Sequence, residues 1–156
     1  MKMILLWLLV TYSLPTMADT CWNRVYNAMS YTSGTPNKVL AKYMCVGIED
    51  PAMLERAVII AKLESDFQNV ISAGGDDFTH FQFHIDTIKS YGLDKRYLML
   101  NMFYQFDSFT RIMNDKLQAC KLRAVPEACW HSATDKHYQR YSKKYLEIQK
   151  KVRRFL

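Results

Sequence analysis

The sequence predicts a mainly α-helical single domain of about six or seven helices, with a small β excursion near residues 73–83. Three observations predict it. Apolar residues recur at alternating steps of three and four along several long stretches, which is the spacing of one helix face. The stretch from Ser72 to Asp77 is instead rich in turn formers. The chain has 156 residues, the size of one domain with a substantial core. No repeat or low-complexity segment interrupts it.

Residues 1–18 read as an export signal and stand apart from the fold. Lys2 is the positive start, residues 4–10 are a short apolar run, and Pro15, Thr16, Met17 and Ala18 form a plausible cleavage end. The apolar run is too short to span a bilayer comfortably. Ala18, Asp19 and Thr20 before Cys21 do not resemble a lipoprotein box, so no stable membrane anchor is expected after cleavage; an uncleaved anchor is the alternative. The expected location is exported, either periplasmic or secreted, and residues 19–156 form the domain.

Removing residues 1–18 takes away one lysine and no acid, lowering the formal charge from +6 to +5. That excess favours anionic surroundings such as a cell wall, a membrane surface or nucleic acid. Export argues against nucleic acid. Cys21, Cys45, Cys120 and Cys129 all survive cleavage, and an even count in an exported chain reads as two disulfides. Three pairings are open. The preferred one joins Cys21 with Cys45 and Cys120 with Cys129, near neighbours in sequence. A zinc site is the weaker reading, because no Cys-x-x-Cys or His-x-x-x-His cluster is present. No metal or other cofactor is expected.

In chain order, residues 21–45 begin with an amphipathic stretch carrying Trp22, Val25, Tyr26 and Met29. Ser33, Gly34, Thr35 and Pro36 break it. A short helix over 37–44 follows, and Gly47 ends the region. Residues 50–68 then predict the helix that matters most. Asp50 is a good N-cap and Pro51 suits the first helical position. Leu54, Ala57, Ala61, Glu64 and Gln68 share one face. Glu64 thus points where the apolar residues point, where loss of hydration would raise its pKa and let it hold a proton near neutral pH. The plainer alternative is a glutamate at the core rim that reaches out to water.

Ser72 to Asp77 is a turn in which paired glycines permit backbone angles closed to other residues. Phe78 to Phe83 is a short aromatic-rich segment. Residues 85–92 predict a short helix with Gly92 as its C-terminal glycine. Residues 94–122 predict the longest helix and the spine of the core, with Leu98, Met102, Phe106, Phe109, Met113 and Leu117 on one face. Val125 and Pro126 start a new turn between Cys120 and Cys129. From about Asp135 the last helix presents Tyr138, Tyr141, Tyr145, Ile148, Val152 and Phe155 as a docking face, with Lys143, Lys144, Lys150, Lys151, Arg153 and Arg154 largely off it.

Several of these pieces together resemble the lytic transglycosylases, lysozyme-like enzymes that cut peptidoglycan. The family pattern is a helix ending in Glu-Ser-x-Phe, a Ser/Gly-rich turn, Gly-Leu-Met-Gln, then Ala-Tyr-Asn-Ala-Gly. Here Glu64, Ser65, Asp66 and Phe67 match the first part. Thr79, His80, Phe81 and Gln82 stand at the third, with only Gln82 identical. Trp130 stands for the tyrosine and His131 for the asparagine. The aromatic-His-Ser run ending at Ser132 resembles the small transglycosylases that accompany secretion and conjugation machines. The resemblance covers about residues 49–152, and the departures at Thr79 and His131 bear on substrate contacts more than on the acid.

The resemblance implies a lysozyme-like fold and a single catalytic acid, Glu64, acting on peptidoglycan glycan strands without metal. The cleft would lie between the Glu64 helix and the helices after Cys120. Ser65 would fix the helix end beside the substrate. Gln82 and His131 would bind acetamido or hydroxyl groups, and Phe81 and Trp130 would wall against sugar faces. Two rivals remain. One is a hydrolytic lysozyme with Asp76 or Asp77 as second carboxylate. The other is an exported, disulfide-braced module that binds glycan or a partner without turnover.

Overall fold

The computed structural model describes residues 20–131 and 134–156. The export signal expected at 1–18, and Ser132 of the aromatic-His-Ser run, lie outside them. Among the described residues the protein is mainly helical, with seven α-helices and one small antiparallel sheet.

Helix α1 (Cys21–Thr32) and helix α2 (Lys38–Gly47) form an antiparallel pair pinned by the Cys21–Cys45 disulfide. Asn37 caps α2 by accepting the Leu40 N–H at 2.9 Å. Lys38 and Lys42 lie over the Trp22 ring at 5.2 and 5.3 Å. The helix expected over 37–44 runs on to Gly47, which ends the region as expected. It is the last helical residue, and a Cβ there would come within 2.6 Å of the Phe106 ring. Close approach of two helices selects this glycine.

Helix α3 (Pro51–Ser65) begins as expected, with Asp50 accepting the Ala52 N–H at 2.9 Å. It does not present a single apolar face. Ala57, Val58, Ile59, Ile60 and Ala61 are all fully buried, so every side of its middle turns packs against protein. This helix, rather than the one expected over 94–122, is the centre of the core. It also stops three residues before Gln68. Asp66 and Phe67 turn into left-handed conformation, with φ of 52° and 66°. The Phe67 N–H closes the helix end on the Ala61 carbonyl at 3.1 Å. An Asp66–Lys62 ion pair holds the turn.

The β excursion is a three-stranded antiparallel sheet in the order β1 (Val70–Ile71), β2 (Asp77–Thr79), β3 (Phe83–His84). Its first connection is the glycine turn, where Gly75 takes φ 78° and the Ser72 N–H donates to the Asp77 carbonyl at 2.9 Å. In the second pairing Asp77 stands directly opposite His84. Helix α4 (Ile85–Ser90) follows, capped by the His84 imidazole, and Gly92 takes φ 62° just beyond it.

The long helix expected over 94–122 divides in two. Asn101 ends α5 (Lys95–Leu100) by donating its N–H to the Tyr97 carbonyl at 2.9 Å, and starts α6 (Met102–Ala119) by accepting the Tyr104 N–H at 3.0 Å. From this stretch Leu98, Phe106, Phe109, Ile112 and Met113 reach the core, while Met102 and Leu117 stay at its edge. The Cys120–Cys129 disulfide ties the end of α6 to a 3₁₀ turn over Pro126–Trp130. Both disulfides therefore follow the near-neighbour pairing. Helix α7 (Asp135–Val152) docks by the expected face against α3, α1 and the 3₁₀ turn, burying Tyr138, Tyr141, Tyr145 and Val152. Among the described residues no helix is long and apolar enough to cross a membrane.

Candidate active site

The end of α3 delivers Glu64 to the wall of a cavity of about 430 Å³. The sheet supplies Asp77, Gln82, Phe83 and His84, α4 supplies Thr87, and α6 supplies Ile112 and Lys116. The 3₁₀ turn and the residue after it supply Trp130 and His131. Residues far apart in sequence thus converge on one concavity, of the size small ligands occupy.

Glu64 keeps only 12% of its side-chain surface exposed. Burial is the main reason its pKa rises from the ordinary 4.5 to about 7, because removing water disfavours the carboxylate. The Tyr141 hydroxyl opposes this by donating to Glu64 Oε1 at 2.5 Å. Asp77 pushes the value up, and Lys144 pulls it down. Near pH 7 the carboxyl is poised between its two forms, as proton donation followed by proton acceptance requires. Tyr141 is itself buried, and its own pKa is raised well above the usual phenol range by that burial and by Glu64. Its hydroxyl therefore stays protonated and remains a donor.

His131 is half exposed, with Nδ1 at 3.8 Å from Glu64 Oε1. Its ring lies parallel on the Tyr141 ring, centroids 4.9 Å apart. Burial, and then the neighbouring His137, lower its pKa, so near neutral pH the imidazole is uncharged and the contact is not an ion pair. Trp130 packs its ring against Phe83 and Phe109 at 5.6 and 5.0 Å. Its indole N–H donates to the Phe81 carbonyl at 3.1 Å, which fixes the ring beside the cavity.

No protein-family model, no curated protein and no solved structure gives a significant match to the chain. What the site does is therefore argued from its own residues.

Two of the expected substrate contacts need correction. Phe81 is fully buried, stacked on Phe109 at 4.3 Å, and a ring with no exposed surface cannot face a sugar. Its contribution is the backbone carbonyl that holds Trp130. Ser65 does not line the cavity. Its hydroxyl lies 2.7 Å from the His80 carbonyl and 3.1 Å from the Ala61 carbonyl, which locks the end of α3 to the β2–β3 turn. The other half of the expectation for Ser65, bracing the helix end, describes its position.

Gln82 lines the cavity, yet its amide nitrogen donates to the Thr79 and Val70 carbonyls at 2.7 and 3.1 Å. Its side-chain oxygen is what it can offer a ligand. His80 is a core histidine, Nδ1 at 2.9 Å from Gln105 Oε1, with a pKa lowered by burial.

Asp77 lines the cavity, and Asp76 is not among its walls. The residue the site reading missed is Tyr141. It was placed on a docking face, where a buried tyrosine still needs a partner for its hydroxyl. That need was the available signal. Among the described residues no cluster of His, Cys, Asp and Glu could hold a metal ion.

Proposed function

We propose that the chain is a peptidoglycan lytic transglycosylase with a lysozyme-like arrangement around one catalytic acid. The observation that carries this reading is Glu64. It is a shielded carboxyl with a pKa of about 7, set in a cavity wall and steadied by a tyrosine that does not ionise.

In the proposed reaction the protonated Glu64 gives its proton to the glycosidic oxygen between N-acetylmuramic acid and N-acetylglucosamine, and the C1–O bond breaks. The substrate's own acetamido oxygen steadies the positive charge at C1. The ionised Glu64 then takes the proton of the same sugar's 6-hydroxyl, whose oxygen attacks C1 and closes a 1,6-anhydro ring. The proton returns to Glu64 and no water is consumed. Desolvation serves both halves by keeping the proton affinity intermediate. Tyr141 prevents that affinity from rising further, and the partly exposed Trp130 gives an apolar wall for a sugar face.

Thr79 adds support. It stands at the glycine of the resembling pattern and takes φ 75°, a conformation that suits glycine and strains a β-branched residue. The two disulfides suit an oxidising, exported setting. Service to a secretion or conjugation machine, by opening the wall locally, belongs to the same proposal.

Asp77 favours a second reading. It shares the cavity with Glu64 and raises its pKa, so it is placed to serve as the second carboxylate of a hydrolase. Product mass decides between them. Digestion of peptidoglycan by the transglycosylase gives ends one water lighter than the hydrolytic product, and Asp77→Asn leaves that activity within a few-fold. A clear zone in a peptidoglycan gel that persists with Glu64→Gln would remove both readings. Glycan binding without cleavage by the wild type would leave the non-catalytic module.

A further inference from the structure

Among the described residues, the cavity lining contains one lysine and no arginine, and the cleavage chemistry has no use for that lysine. Lys116 lies on α6 one turn beyond Ile112, so the two side chains point the same way, and both line the cavity. It makes no ion pair among the described residues. The neighbouring acid, Asp115, accepts the Tyr91 hydroxyl at 2.9 Å. The two carboxyl groups of the cavity arrive on other elements, Glu64 on α3 and Asp77 on β2. The cation and the two carboxyl groups that line the cavity thus come from different elements, and Lys144 of α7 acts on Glu64 from outside the lining. An anionic branch on a bound strand is repelled by Asp77 and by ionised Glu64, and attracted by Lys116. Thr87 of α4 adds a hydroxyl to the same cavity.

We propose that Lys116 is a specificity-determining residue that binds a carboxylate carried as a side branch of the glycan. The site would then select acid-bearing strands over neutral strands with the same backbone. This rests on the glycan-cleaving reading and adds the substrate class to it. A muramyl residue offers such a carboxylate from two sources. One is the lactyl ether when the peptide has been removed, and the other is the peptide stem when it is present.

The experiment compares peptide-free muramyl glycan and peptide-bearing glycan, each as the free acid and as the methyl ester. It reads kcat/KM for wild type, Lys116→Met and Lys116→Arg. Binding of each glycan to Glu64→Gln is measured in parallel. The expected result is that wild type prefers acid over ester by about tenfold, that Lys116→Met brings the ratio to about one, and that Lys116→Arg keeps it. A preference present on peptide-free glycan assigns the lactyl carboxylate. One present only on peptide-bearing glycan assigns the stem.

The inference is overturned if wild type cleaves acid and ester equally well on both glycans, or if Lys116→Met keeps the preference. If no glycan is cut by wild type and none is bound by Glu64→Gln, the glycan-cleaving reading itself fails and takes this inference with it.

Discussion

The Glu64 carboxyl couples folding to pH. Glu64 goes from an ordinary value of 4.5 to about 7 on folding, chiefly through burial. Folding thus favours the protonated form. Its contribution to stability is fully present below pH 4.5 and is lost as pH rises through 7. The shift corresponds to about 3 kcal/mol. Glu64→Gln keeps a neutral side chain and an oxygen for the Tyr141 hydroxyl. It is expected to match the wild type at pH 4 and to exceed it by about 2–3 kcal/mol at pH 8.5, measured by denaturant unfolding. Under the proposed activity, the same variant should lose at least about a hundredfold in wall-cutting rate.

Tyr141→Phe removes the hydrogen bond that favours the carboxylate, so the pKa of Glu64 should rise above its present value. The high-pH decline of kcat/KM should then move to higher pH, with the rate at its optimum down about tenfold. A decline that stays near pH 7 in this variant would mean that another group controls it.

Elements explain what residue patterns alone left open. Gly47 permits α2 to lie against α6, and Gly47→Ala should cost about 1–3 kcal/mol in thermal or denaturant unfolding, because the buried Phe106 ring has to move. The 3₁₀ turn carries Trp130, with His131 just after it, and two of its ties lie near its ends. These are the Cys120–Cys129 disulfide and the Val125 N–H, which donates to the Tyr138 hydroxyl at 2.9 Å. Replacing both cysteines by serine should destabilise by about 2–3 kcal/mol. Under the proposed activity it should also raise KM more than it lowers kcat, since the turn walls the cavity and does not hold the acid.

At this scale the sequence was legible wherever periodicity ran uninterrupted, as in α1, α7 and the start of α3. It was less so at Asn101, where one polar residue inside an apolar repeat both ends a helix and begins another. The repeat survives that break because α5 and α6 bury the same side. Phe81 misled for a related reason. An aromatic beside a candidate ligand residue reads as a wall, and only tertiary packing reveals that Phe109 and Phe106 cover it.

Across the whole molecule, charge is arranged by surface. Lys143, Lys144, Lys150 and Lys151 are exposed on α7, while the opposite face of that helix supplies the buried tyrosines. Binding of Glu64→Gln to isolated cell walls should therefore weaken steeply as salt rises from about 50 to 300 mM, since exposed charges are screened over that range. Binding that is insensitive to salt would assign the affinity to the cavity alone.

The placement of Glu64 at a helix end, and the use of all four cysteines in two disulfides, were legible in the sequence, while the choice among three pairings was a preference only. The element at the centre was not legible. A helix buried on every side carries no amphipathic signature, so α3 advertised one face while packing all of them. Ser65 likewise looked like part of the chemistry, because adjacency in sequence cannot say which way a hydroxyl points.

The dependence of Glu64 on α7 has a temporal side. The partner hydroxyl, the stacking ring beneath His131 and the Gln149 and Arg153 groups that grip Glu55 all belong to the last described helix or, for Arg153, to the residue that caps it. A polypeptide threading out of a membrane pore amino end first would carry its acid across long before the tyrosine that tunes it. Under the proposed activity, a half-emerged chain is harmless to the envelope it is crossing, and cutting begins only once the tail has followed.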